Sequence, residues 1–339
     1  MQRALELATF GKGNVSPNPL VGCVIVHKNK IIGEGYHKKY GENHAEVNAI
    51  NSVADKNLLK DSQLYVTLEP CSHYGKTPPC SRLIIEHKIP TVHVALKDPN
   101  PLVAGRGLTM LQNAGVNVHV GLMAKEAAWQ NRRFLKSIES NLPYIILKWA
   151  ETADGFIARK NYDSKWISNK ISRALVHKWR AEEDAIMVGS NTSKYDNPRL
   201  NVRDWHGQDP TRIVIDRNLI LDGKLHLFDG SIPTFLFHSD TVHANQDHHH
   251  IYGNPLNEET FLEDMLKELY NKNIRSILVE GGTALHHIFI KKNLWNEARV
   301  FKSTHTFSEG INAPNLNGKL NDIQKLGDDK LFFYLNETR

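Results

Sequence analysis

Cysteine is scarce in this chain: Cys23, Cys71 and Cys80 are the only three in 339 residues. So few thiols exclude a disulfide framework and point to a reducing compartment. No run approaches the roughly 18 apolar residues that a membrane span requires. Residues 1–7 read as an amphipathic helix and lack the uninterrupted apolar core of a signal peptide. A cytoplasmic protein with no membrane partner is the expectation. There is no G-x-G-x-x-G, so a Rossmann domain is not indicated. Nor is there an aromatic-interleaved basic stripe. The net charge of +5 is dispersed, which fits a solvated surface or small anionic substrates better than nucleic acid.

What is present is ordinary globular material, 40% hydrophobic and 23% charged, enough for two cores. Residues 20–26 form an apolar run of strand length, with a hairpin partner at 30–36. A helix starts near His44. Strands follow at 63–68, 91–96 and 116–120, with helices at 81–87 and 107–114 between them. A helix over 123–140 closes this domain. Asn141-Leu142-Pro143 is the best boundary, giving domains 1–142 and 143–339. The second domain carries strands at 144–149, 185–188, 211–215, 234–238 and 276–279, and helices at 169–182, 258–271 and 284–290. Alternation of this kind predicts α/β architecture with helices on both faces of a buried sheet.

The chemistry concentrates in His44-Ala45-Glu46 and in Pro70-Cys71 through Cys80. One imidazole and two thiols make three zinc ligands and leave one coordination position open, the mark of a catalytic rather than structural site. Water in such a position loses a proton near neutral pH. Glu46, which is not a ligand, is placed to shuttle protons. H-x-E followed by P-C and a second cysteine is the zinc-deaminase signature, departing from it only in the eight residues between the cysteines. His44 at the start of one helix and Cys80 at the start of another would aim two helix N-termini at the site.

With their surroundings, these segments resemble the bifunctional riboflavin-biosynthesis deaminase–reductase family. The resemblance rests on Pro17-Asn18-Pro19-Leu20-Val21-Gly22, His44-Ala45-Glu46, Asp98-Pro99-Asn100-Pro101 and the stretch from Glu69-Pro70-Cys71 to Thr77-Pro78-Pro79-Cys80. It implies zinc on His44, Cys71 and Cys80, with Glu46 catalytic. It also implies a substrate pocket that includes Asn18, His73 in the 72–77 loop, and Asn100 in the 98–107 loop. The second half is similar too, through Lys148-Trp149-Ala150-Glu151-Thr152-Ala153-Asp154-Gly155, Ser164-Lys165-Trp166-Ile167-Ser168 and the run from Asp184 to Arg203. There the resemblance implies a dihydrofolate-reductase-like domain binding NADPH at Ala150, Trp166, Thr192, Asp196, Gly281, Gly282 and Thr283. Substrate would meet Ser164, Arg180, Leu200, Arg203 and Glu280, the two arginines taking its phosphate. Lys148 and Glu280 are candidates for positioning or protonation. Independently, Leu278-Val279-Glu280-Gly281-Gly282-Thr283 reads as strand, glycine pair and helix start, a turn that lets backbone N–H groups approach a phosphate.

The implied function is zinc-dependent deamination of 2,5-diamino-6-(5-phosphoribosylamino)pyrimidin-4(3H)-one, followed by NADPH-dependent reduction of its ribosyl group to ribityl. Two rivals are a nucleic-acid or nucleoside deaminase with an inactive appended domain, and a non-enzymatic zinc module. The sequence does not fix the number of copies in a homo-oligomer. Other residues read as structure. Cys23 is expected in the core. Trp129, Trp166, Trp179, Trp205 and Trp295 are core or domain-contact candidates. His286 and His287 are placed on a helix surface or against cofactor, and the histidine-rich segment 243–250 is read as an exposed loop.

Overall fold

A computed structural model describes residues 1–72, 78–100, 104–165, 167–238, 249–252 and 260–338. His73 and Trp166 therefore lie outside the described residues, as does 243–248 of the histidine-rich segment. The chain divides into two compact units, Met1–Asn141 and Leu142–Arg339.

The first unit is built on a five-stranded sheet of β1 (Gly22–His27), β2 (Lys30–Tyr36), β3 (Gln63–Leu68), β4 (Thr91–Leu96) and β5 (Asn117–Val120), in the order β2-β1-β3-β4-β5. The β1 hairpin pairs antiparallel; β3, β4 and β5 run parallel. Helices α2 (Ala45–Ser52), α3 (Cys80–Glu86) and α4 (Arg106–Asn113) deliver Ile50, Ile84 and Leu111 to one face, where they meet Cys23, Ile25, Leu64 and Val92. On the other face α1 (Gln2–Ala8) packs Ala4 and Leu7 against Val24, and α5 (Ala124–Gln130) packs Ala127 against Ala95. Cys23 is fully buried.

The single helix expected over 123–140 is in fact two, α5 and α6 (Arg132–Ser140). Asn131 separates them. Its side chain turns inward to accept from Leu20 N at 2.8 Å and donate to Leu20 O at 2.9 Å. Periodicity does not reveal a side chain whose partners lie 111 residues away. Trp129 and Trp205 are also not core residues. They are 46% and 49% exposed, one beneath the Arg132 guanidinium and the other beneath Lys178, whereas Trp179 and Trp295 are buried.

The second unit holds a nine-stranded sheet made of β6 (Tyr144–Glu151), β8 (Ala185–Gly189), β9 (Thr211–Ile215), β10 (Thr234–His238), β11 (His249–Tyr252), β12 (Ser276–Val279), β13 (Glu297–Lys302), β15 (Lys319–Leu326) and β16 (Asp329–Leu335). Its order is β11-β10-β9-β8-β12-β6-β13-β16-β15, parallel except around β16. His249 and His250 thus open a strand beside β10, rather than lying in a loop. A small ribbon pairs β7 (Phe156–Ala158) with β14 (Ile311–Asn312). Helices α9 (Phe261–Asn271) and α10 (Thr283–Lys291) cover one face through Leu266, Leu269 and Phe289. On the other, α7 (Lys170–Glu182) packs Val176 and Trp179 against Ile146, Leu278 and Phe301. The short α8 (Ser190–Asp196) follows directly from β8. Among the described residues, no helix is long and apolar enough to cross a membrane.

Candidate active sites

In the first unit, His44 is the N-cap of α2 and Cys80 the first residue of α3, so two helix starts converge. His44 Nδ1 lies 3.6 Å from Cys71 Sγ and 3.4 Å from Cys80 Sγ, and the three donor atoms lie within 4.8 Å of one another. A tetrahedral zinc with ordinary Zn–S and Zn–N bonds has an N···S edge of about 3.5 Å. Both N···S separations are therefore already those of a coordination tetrahedron. The backbone N–H of Cys80 donates to Cys71 Sγ at 3.3 Å. A hydrogen bond from the Cys80 thiol, ahead of one from His44, holds Cys71 down at about 4, so it stands as a thiolate at neutral pH, the form that can ligate a metal.

Glu46, in the first turn of α2, is 3% exposed. Burial, ahead of the charge of Cys71, pushes its carboxyl up to about 7. A group poised there both takes and returns protons at neutral pH.

Around this core stand two residues to which motif reading assigns no role. His37, buried, stands 3.1 Å from Asn18 Nδ2 through Nε2 and 3.1 Å from Asn43 O through Nδ1. Its ring meets that of His44 edge-on at 5.6 Å. Asn18 is thereby joined to His44 through one imidazole. Glu69 accepts four backbone N–H groups, from Asp98 at 3.2 Å, Gly105 and Gly107 at 3.0 Å, and Leu108 at 3.4 Å. One buried carboxylate thus fastens the segment carrying Asn100 to the strand end before Cys71. Asn100 is held locally, its N–H donating to Asp98 Oδ1 at 2.9 Å and its carbonyl accepting from Ala104. Gly107 fits only without a side chain, since a Cβ there would sit 2.0 Å from Pro70 O.

In the second unit, a cavity of about 1020 Å³ opens at the carboxyl ends of the parallel strands, where open α/β sheets bind ligands. Lys148, Ala150, Ser164, Arg180, Thr192, Asp196, Leu200, Arg203, Glu280, Gly281, Gly282 and Thr283 all line it. Strand register accounts for several of them. Leu147 pairs with Val279 and Val279 with Met187, so Lys148, Glu280 and the 188–192 segment leave three adjacent strands at one level.

Glu280 is the electrostatic centre. Arg180 donates to it twice, at 2.8 and 2.9 Å, and Lys148 once at 3.4 Å. Burial alone would raise its carboxyl, yet the Arg180 and Lys148 charges hold it down at about 2. The Arg180 fork is thus engaged by Glu280, with its remaining nitrogen on Asn201 O at 3.1 Å. Arg203 is different: its side chain is 54% exposed and touches Asn201 Oδ1 at 3.2 Å. Its backbone N–H donates to His177 Nδ1 at 3.4 Å. Asn197 (φ +37°) and Leu200 (φ +51°) turn this segment back into the cavity.

The glycine pair is sterically required. A Cβ on Gly281 would lie 2.9 Å from Thr192 Oγ1, and Gly282, the N-cap of α10, has φ +81°. Thr192 and the glycine turn therefore form one close-packed floor, with the first turns of α8 and α10 beside it. Such backbone donors suit a dinucleotide's phosphates, and the cavity has room for cofactor and substrate together.

His286 corrects the helix-surface placement, for it is 1% exposed, with only His287 facing outward. Burial holds it down at about 4, so it is neutral and donates Nε2–H to Val279 O at 3.1 Å, and among the described residues Nδ1 has no hydrogen-bond partner. Asp216, also buried at the cavity wall, was likewise not foreseen.

These two sites define a two-domain enzyme with a zinc-deaminase half and a nucleotide-dependent reductase half. Residues 1–96 match the model of the cytidine and deoxycytidylate deaminase zinc-binding region, and residues 143–324 match that of the RibD C-terminal domain. The chain is 41% identical to riboflavin biosynthesis protein RibD of Bacillus amyloliquefaciens, over 89% of this chain and 82% of the relative. It is 38% identical to RibD of Aquifex aeolicus over 98% and 97%. Among solved structures, a diaminohydroxyphosphoribosylaminopyrimidine deaminase/5-amino-6-(5-phosphoribosylamino)uracil reductase from Thermotoga maritima superposes with a TM-score of 0.90 at 35% identity, covering 99% of this chain and 97% of that one. The chain belongs to the RibD family of riboflavin biosynthesis proteins, with a cytidine-deaminase-like α/β domain followed by a dihydrofolate-reductase-like one.

Proposed function

We propose that the protein carries out two consecutive steps of riboflavin synthesis in the cytoplasm, on one small phosphoribosyl-pyrimidine. Residues 1–142 deaminate 2,5-diamino-6-(5-phosphoribosylamino)pyrimidin-4(3H)-one, and residues 143–339 reduce the ribosyl group of the resulting uracil to ribityl. The observation that carries the first step is the convergence of His44, Cys71 and Cys80, at N···S separations that suit a tetrahedral zinc, beside the buried Glu46. When bound, zinc supplies water activation near neutral pH, and NADPH supplies the hydride of the second step.

The chain's own residues do the rest. Glu46 accepts the first proton of the attacking water and passes it to the ring nitrogen next to the amine-bearing carbon. It then takes the second proton from the newly added hydroxyl and gives it to the amine, which leaves as ammonia as the carbonyl forms. A carboxyl at about 7 serves both directions of that transfer. Asn18, oriented through His37, and Asn100, on the segment fastened by Glu69, hold the pyrimidine.

In the reductase cavity, Arg203 takes the substrate phosphate, because its guanidinium is the more exposed of the two expected there. Arg180 holds Glu280 and completes the anion site from behind. Lys148, tethered to Glu280 with both beside the sugar, is the proton donor that opens the ribosyl ring before hydride reaches C1′. Thr192, Asp196 and the Gly281–Gly282–Thr283 turn hold the dinucleotide. The test is incubation of the purified protein with the diaminopyrimidine, with and without NADPH. Ammonia should appear in both, and NADPH should be consumed only where it is supplied. Absence of ammonia release from zinc-loaded protein would refute the reading.

A further inference from the structure

Tyr162 has a left-handed backbone, φ +68°, unusual for a bulky side chain and a conformation that persists only where surroundings compensate it. The compensation is visible. Its ring stacks on that of Tyr195 at 4.2 Å between centroids and 3° between planes. Both rings are at the surface, 39% and 49% exposed, and both line the reductase cavity. Apolar burial therefore does not explain the pairing.

Its location does. Tyr162 belongs to a tight turn, with Tyr162 N donating to Arg159 O and Arg159 N to Asp163 O, each at 2.9 Å. Two residues further on, Ser164 Oγ reaches Asp196 at 3.4 and 3.5 Å, next to Tyr195 on α8. The turn after β7 is thus joined to α8 at two adjacent points. The hydroxyl–carboxylate contact is long and loose; the ring stack beside it is close and nearly coplanar.

We propose that the Tyr162–Tyr195 stack is an aromatic clasp that positions Ser164 against Asp196 and so sets the affinity of the cavity for substrate and dinucleotide. Neither tyrosine is catalytic; both act through the residues they hold. The inference rests on the reading of this cavity as the reductase site. An aromatic pair of this kind couples by about three- to tenfold in an equilibrium constant. Tyr195→Ala in the full-length, zinc-loaded protein should therefore raise the Kd for NADPH and the KM for the phosphoribosyl-uracil by about that factor. Reductase kcat and ammonia release should stay within twofold. Tyr162→Gly, which removes ring and backbone strain together, should raise both constants similarly. The double variant should be no worse than either single one, because each removes the same contact. Tyr195→Phe and Tyr162→Phe keep the stack and should behave as the parent. The clasp is refuted if Tyr195→Ala binds NADPH as the parent does, if the two effects multiply, or if the phenylalanine variants fail like the truncations. Loss of reductase activity in the parent protein would overturn the underlying assignment instead, and the two failures are distinct.

Discussion

Replacing Glu280 by glutamine keeps the side chain's shape and leaves two buried cations, Arg180 and Lys148, facing a neutral amide. The three side chains are 7%, 11% and 15% exposed, so water does little to screen them. Removing one member of a buried ion cluster costs about 3–5 kcal/mol, since the remaining charge is left uncompensated. The titration of Glu280 gives a second measure. Its folded value of about 2 lies well below the ordinary 4.5, a gap worth about 3 kcal/mol. Because the folded value is depressed, this stabilisation is complete above about pH 4.5 and is lost as pH falls toward 2. Calorimetric melts of the full chain should show the reductase transition of Glu280→Gln about 6–20 °C below the parent at pH 7. The difference should shrink as pH is lowered from 5 to 3, while the deaminase transition stays the same in both proteins. A melting point within 2 °C of the parent at pH 7, or a difference independent of pH, would refute the assignment of Glu280 as a buried charge centre.

Cys71→Ser and Cys80→Ser should each lose the single zinc expected per chain, measured by elemental analysis; full occupancy in both would mean the ligands are misassigned. Arg203→Ala should raise the reductase KM for the phosphoribosyl substrate by about 10- to 100-fold, the loss of one charge-assisted phosphate contact, with little change in kcat. Gly107→Ala should destabilise the first unit by about 1–3 kcal/mol and depress ammonia release, while reduction of supplied intermediate persists, because the new Cβ meets Pro70 O at 2.0 Å. An unchanged melting transition would show that this close approach is not maintained.

Short-range features were the readable ones. Strands such as 63–68, 91–96 and 234–238 are apolar runs bounded by turns and stand where the pattern put them. The clustering of His44, Cys71 and Cys80 was legible because metal chemistry constrains residue type within a few positions of each motif. What stayed hidden depends on partners distant in sequence. Glu69 gave no sign that its carboxylate would collect N–H groups 29 to 39 residues onward. Asn131 looked like one more polar helix position. His286 looked like a surface residue because its burial comes from β12 and Trp149, not from its own helix pattern. The strands β13, β15 and β16 were missed as well. β15, Lys319–Leu326, is almost wholly exposed and its apolar residues Leu320, Ile323 and Leu326 do not alternate with polar ones, so pairing with β16 alone makes it a strand.

In the proposed division of labour, two independent sites share the work, with Glu46 moving the protons of the first. Glu46→Gln preserves size and polarity but cannot accept a proton, and it removes no metal ligand. The decisive measurement follows ammonia release and NADPH consumption separately in this variant, with zinc content confirmed. Ammonia release should fall by at least about 10²- to 10⁴-fold, while the supplied phosphoribosyl-uracil is reduced at the parent rate. Deamination at the parent rate with zinc bound, or loss of reduction of the supplied intermediate, would contradict this division of labour.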